Sequence, residues 1–154
     1  MSMIERIIAV ECGPAGDQLV VRTGFEEASI PIIAGCRIFV TGMGKASARM
    51  ALGLEQVLGD RLFGGIVAVK EKYIEPLNRI RLLEAGHPVP DMRSEKAAAA
   101  ILNLGASLGT TLTEKDLVIV LVSGGGSSIL CSPAEGLTLE DKKSTTKLLL
   151  AWPL

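Results

Sequence analysis

Two glycine-rich stretches carry the groups best suited to hold an anion. The first is Gly42-Met43-Gly44-Lys45-Ala46-Ser47, and the second is Ser123-Gly124-Gly125-Gly126-Ser127-Ser128. Glycine has no Cβ, so backbone N–H groups in such stretches can approach a phosphate or carboxylate closely. Lys45 adds a full positive charge, and Ser47, Ser123, Ser127 and Ser128 add hydroxyls. His87, the only histidine, stands between Gly86 and Pro88. It can donate to a phosphate or act as a base, and it can equally be a structural hydrogen-bonding residue.

The spacing narrows the chemistry. A P-loop needs four residues between its glycines, and Gly42 and Gly44 are separated by one. The dinucleotide fingerprint GxGxxG is half met, with Ser47 at the third glycine's place. The acidic residue expected at the end of the next strand is replaced by Lys70, with Glu71 beside it. What remains is a phosphate or carboxylate clamp in which Lys45 steadies developing charge. Glu84 and Glu135 are weaker candidates for a metal or hydroxyl partner, and Asp91 reads as a helix cap. No metal ligand set is legible.

Elements of alternating type must position these groups. Arg37–Thr41 reads as a strand, and Lys45–Leu58 as a helix with Ala46, Met50, Leu54 and Val57 on one face, ended by Gly59. Ile66–Val69 and Ile80–Leu83 read as further strands. A helix is expected from Asp91 or Ser94 to about Leu108, and the most apolar strand, expected to be the most buried, is Leu117–Val122. Thr138-Leu139-Glu140-Asp141 caps a last helix that stops at Pro153. Before Cys36 the pattern is ambiguous: Gln18–Arg22 is a short strand, and Ile30–Ile33 is extended because of Pro31. Alternating strands and helices imply an α/β fold with a mainly parallel sheet covered on both faces. Ligands then bind at the carboxyl ends of the strands, where the loops at Gly42, Gly86 and Gly124 meet.

Composition excludes several classes. The 154 residues suffice for a single domain with a core. A net charge of -1 and 3% aromatic residues leave neither a basic footprint nor a stacking platform for nucleic acid. No stretch has the roughly 18–20 apolar residues of a membrane span, and Met1–Val10 lacks a signal-peptide layout. The three cysteines, Cys12, Cys36 and Cys131, form no CxxC pair, which suits a reduced, cytoplasmic protein. The 48% hydrophobic content suits burial on both sheet faces or against another subunit, as in a homo-oligomer.

Four stretches together resemble the class II glycerate 2-kinases, the MOFRL-type family, in their N-terminal domain. They are Ile38–Ser47, Arg79–Asp91 with its EAGHPVPD element, the SGGGSS element at Ser123–Ser128, and Pro133–Lys142. The resemblance spans about Ile38 to Ala151. It implies a Rossmann-like three-layer αβα sandwich and transfer of the γ-phosphoryl of ATP to the 2-hydroxyl of D-glycerate, with Mg²⁺. It also implies catalysis by Lys45, and substrate or phosphate binding at Ser123–Ser128 together with Gly42, Gly44, Ser47 and His87. Two departures stand out. Lys70-Glu71-Lys72-Tyr73-Ile74-Glu75 replaces a Gly/His-containing segment, and Trp152-Pro153-Leu154 does not resemble the family's continuation. The expectation is therefore an incomplete N-terminal domain over 1–154, without the second domain and inactive alone. The alternative is a non-catalytic ligand-binding or assembly module; a nicotinamide-dependent enzyme is a third reading.

Overall fold

The structure, a computed structural model, describes residues 7–14 and 16–152. The expectations about residues 1–6 and about a stop at Pro153 lie outside the described residues. Seven strands form two sheets. β1 (Ile8–Gly13), β2 (Gly16–Arg22) and β3 (Glu27–Ile32) make an antiparallel meander. β4 (Ile38–Gly44), β5 (Leu62–Lys70), β6 (Ile80–Ala85) and β7 (Leu117–Val122) form a parallel sheet in the order β6-β5-β4-β7.

The two central strands are apolar on both faces, as a sheet covered on both sides requires. α1 (Ser47–Leu58) buries Ala48, Ala51, Leu54 and Leu58 against Ile38, Val40, Val67, Val69 and Leu121. Ile8 and Leu19 of the meander join that core. On the opposite face, α2 (Met92–Leu102) and α3 (Leu104–Ser107) cover Phe39, Ile66 and Ala68. The expected single helix to Leu108 is thus divided at Asn103. α4 (Gly126–Ile129) buries Ile129, and α5 (Leu139–Ala151) closes the described chain.

The mainly parallel α/β fold is as expected, with one difference in kind. β7 is an edge strand of the described sheet, not its most buried one. Leu121 is buried on the α1 side, whereas Val120 and Val122 on the other side are 58% and 61% exposed. A continuous apolar run cannot say whether both faces are covered, because apolarity is the only signal it carries. The meander was legible only in part: β2 and β3 contain the two segments read as extended, and β1 was not anticipated.

Two polar ties fix the frame. The Glu55 carboxylate, buried on α1, accepts hydrogen bonds from the N–H groups of Asn78 (2.7 Å), Arg79 (3.0 Å) and Ile80 (3.2 Å). It pins the start of β6 to α1. At the amino end of the sheet, Arg37 donates to both oxygens of Asp116, at 2.9 and 2.6 Å. Those bonds hold the Asp116 carboxyl well below the usual carboxylate range.

Candidate active site

Parallel strands place the segments after β4, β5, β6 and β7 on one edge, and hydrogen bonds join the first and last of them. The Lys45 N–H donates to the Gly124 carbonyl at 2.9 Å, and the Ala46 N–H donates to Ser123 Oγ at 3.0 Å. The Ser123 N–H in turn reaches the Met43 carbonyl at 3.0 Å. The loop after β7 therefore caps the start of α1 from outside, which explains why α1 begins at Ser47 without a side-chain cap of its own.

The loop after β6 completes the group. Gly125 has φ +85°, and a Cβ there would stand 2.7 Å from His87 Nε2 and 3.4 Å from Lys45 Cγ. A side chain would be strained by the backbone and blocked by the imidazole, so only glycine lets His87 and Lys45 flank this turn. Asp91 ties the His87 loop to α2, since its side chain accepts from the N–H groups of Arg93 and Ser94. Burial pushes the Asp91 carboxyl up, but hydrogen bonds from Arg93, Gly86 and Ser94 outweigh it and hold the group below its ordinary range.

The site is electropositive. His87 is held below the ordinary imidazole pKa by burial first, then by the charges of Lys45 and Lys70. At neutral pH it is an uncharged donor and acceptor. Lys45, exposed at the mouth, has no carboxylate in salt-bridge range among the described residues. Among those residues, no group of three or more His, Cys, Asp and Glu side chains stands close enough to hold a metal ion. Glu84 accepts the Lys72 N–H at 2.6 Å, and Glu135 lies on an exposed loop.

The expected site residues separate into a rim and a support. Lys45, His87, Ser123, Gly124 and Gly125 come together on the edge, whereas Gly126 packs on the Met43 side chain and Ser127 lines a separate cavity with Cys131 and Thr138. Gly42 and Gly44 lie inside β4, where a Cβ would overlap the Leu121 carbonyl or Ser123. They allow the close approach of β7. Ser47 is fully buried and its hydroxyl donates to the carbonyls of Gly44 (2.6 Å) and Ala68 (3.1 Å). The Ser128 hydroxyl, also buried, donates to the Gly125 carbonyl at 3.1 Å. Both serines hold the loops in shape. Cys131 is buried as well, and that burial pushes its thiol up, away from reactivity. Lys72 and Tyr73, which the sequence set apart only as part of a departure from the resemblance, line cavities on either side of this edge, and Lys70 lines one of them. Their position at the carboxyl end of β5 was the available signal.

Comparison with known proteins agrees with this fold. The family described as a domain of unknown function, DUF4147, matches residues 4–152. The chain belongs to this family. Among relatives, DUF4147-matching residues are 41% identical over 117 positions to a protein of Pyrococcus horikoshii named glycerate 2-kinase, covering 74% of this chain and 24% of that protein. A protein of Agrobacterium vitis named as a hydroxypyruvate reductase is 50% identical over 115 residues, covering 75% of this chain and 29% of the relative. The crystal structure of a glycerate kinase from Thermotoga maritima superposes with a TM-score of 0.65 at 38% identity, over 76% of this chain and 28% of that one. The chain thus spans less than a third of the length of these relatives, from 24% to 29%.

Proposed function

We propose that the chain supplies the Lys45 and glycine-loop wall of a glycerate 2-kinase site, which transfers the γ-phosphoryl of ATP to the 2-hydroxyl of D-glycerate. The observation that carries this reading is the joining of Lys45, Gly124–Gly125 and His87 at one sheet edge. Phosphoryl transfer is catalysed mainly by positioning and by charge stabilisation. Lys45 offsets negative charge on the transferring group. The Ser123–Ser127 turn presents amides and hydroxyls to phosphate oxygens. His87, neutral and fixed against Gly125, is the group at this edge able to accept the hydroxyl proton. A magnesium ion does not fit the described side chains as a ligand set: Glu71, Glu75 and Glu84 are engaged by Arg93, Arg49 and the Lys72 N–H.

ADP release measured with D-glycerate and ATP tests the reading, on this chain and on a version extended to the length of its relatives. Turnover by the extended protein supports it; no turnover by either overturns it. A nicotinamide-dependent reductase, the activity in the Agrobacterium vitis relative's name, has less support here. β5 ends in Lys70, and the adjacent Glu71 is occupied by Arg93 at 2.6 Å, so no carboxylate stands ready for a ribose. An assembly module is favoured by one feature, the exposed Val118, Val120 and Val122 on β7. A clean monomer in light scattering counts against it.

A further inference from the structure

The segment after β5 contains the one non-glycine residue among the described residues with a positive φ, Lys72 at +67°. Side chains are disfavoured there, and such residues persist where the surroundings enforce them. Here the enforcement is explicit. The Lys72 N–H donates to Glu84 Oε1 at 2.6 Å, the Tyr73 N–H to the Lys70 carbonyl at 3.0 Å, and the Glu71 N–H to the Ala85 carbonyl at 3.2 Å. The turn stands Lys72 and Tyr73 as a wall between two cavities. One, of about 440 Å³, also touches Lys45; the other, of about 510 Å³, also touches Lys70 and His87.

Charge around this wall is unbalanced. The nearby carboxylates are engaged away from the lysine ammonium groups: Glu71 and Asp91 share Arg93, Glu75 pairs with Arg49, and Glu84, whose charge is not cancelled by it, accepts the Lys72 N–H. Lys70 Nζ lies 4.7 Å from the Tyr73 ring centroid. Among the described residues, none of Lys45, Lys70 and Lys72 has a carboxylate within salt-bridge distance, whereas each arginine beside them does. Three ammonium groups with no salt bridge of their own border one edge, and a single carboxylate would engage only one of them. A ligand with several adjacent negative charges matches them.

We propose that Lys72, with Lys70 and Lys45, forms a rim that binds the polyphosphate chain of a nucleotide, and that Lys72 sits in its unfavourable backbone conformation to reach that chain. This rests on the phosphoryl-transfer reading and extends it to the segment after β5. Lys72→Gly is the discriminating variant. It removes the ammonium group while suiting the left-handed backbone, and Lys72→Asn is a second variant tolerant of that conformation.

Calorimetric titration of the 154-residue chain with tripolyphosphate, and separately with D-glycerate, reads the outcome. Both variants are expected to melt no lower than the parent by more than a degree or two, yet to bind tripolyphosphate about tenfold more weakly, with a shallower salt dependence. Unchanged tripolyphosphate affinity in both variants, alongside a loss in Lys45→Ala, overturns the Lys72 rim and leaves the phosphoryl-transfer reading standing. Weakened D-glycerate binding with unchanged tripolyphosphate binding also overturns it, because the rim then serves a carboxylate. Absence of tripolyphosphate binding by the parent chain overturns the rim as well; the ADP-release assay on the extended protein judges the kinase reading separately.

Discussion

The two faces of β7 differ sharply in exposure. One face meets α1, with Leu121 buried. The other carries Val118, Val120 and Val122 at 38%, 58% and 61% exposure. α5 repeats the contrast: it has a complete capping box at Thr138 and Asp141, yet none of its residues is buried, and Leu148 and Leu149 are more than two-thirds exposed. By comparison, the edge formed by Lys45, His87 and Gly125 is cross-tied by hydrogen bonds and close packing. Local signals made both regions regular. Only the second also has the partners that turn regular structure into a fixed site.

The contrast can be broken by substitution, and the effects should rank. Phe39→Ala, at a fully buried position on the central strand, is expected to cost about 3–5 kcal/mol in denaturant unfolding. Lys45→Ala in the extended protein is expected to lower kcat by about 10²–10³, with little change in melting temperature. Normal turnover would remove Lys45 from the catalytic set. Gly125→Ala should cost about 1–3 kcal/mol, because a Cβ meets His87 and the φ is positive; an unshifted His87 ring resonance in NMR would contradict the packing described.

A pH series sharpens the same point. His87 has a folded pKa below its unfolded value, so the unfolded chain binds more protons in that range. Stability from this group is present above the unfolded value of about 6.5 and is lost as pH falls below it. His87→Gln should flatten that slope below about pH 6.5 in thermal melts. At the other extreme, Val120→Thr on the open face of β7 should stay within about 0.5 kcal/mol. A loss of 2 kcal/mol or more would mean, on the scale of about 1.5–3 kcal/mol for a fully buried side chain, that this face is covered in solution.

Much of the sheet was readable because β4, β5, β6 and β7 are short apolar runs bounded by glycine, proline or capping residues. The convergence of Lys45, Gly124 and His87 followed from reading their strands as parallel. Three things were not readable. Gly42 and Gly44 look like a ligand turn, and only the register of β4 on β7 reveals that they make room for a neighbouring strand. Ser47 and Ser128 carry hydroxyls suited to a ligand, and only burial shows that backbone carbonyls have claimed them. Lys72 is chemically unremarkable until its backbone conformation is known.

The bonds from Lys45 and Ala46 to the Gly124 carbonyl and Ser123 Oγ have a mechanical consequence. The lysine and the glycine turn cannot move independently, since displacing either one strains the same two bonds. Anything that stiffens the turn therefore damps the lysine backbone, before any contact between them and a shared ligand. The protection of the Lys45 and Ala46 amides against hydrogen exchange thus serves as a built-in gauge of how tightly the turn is held.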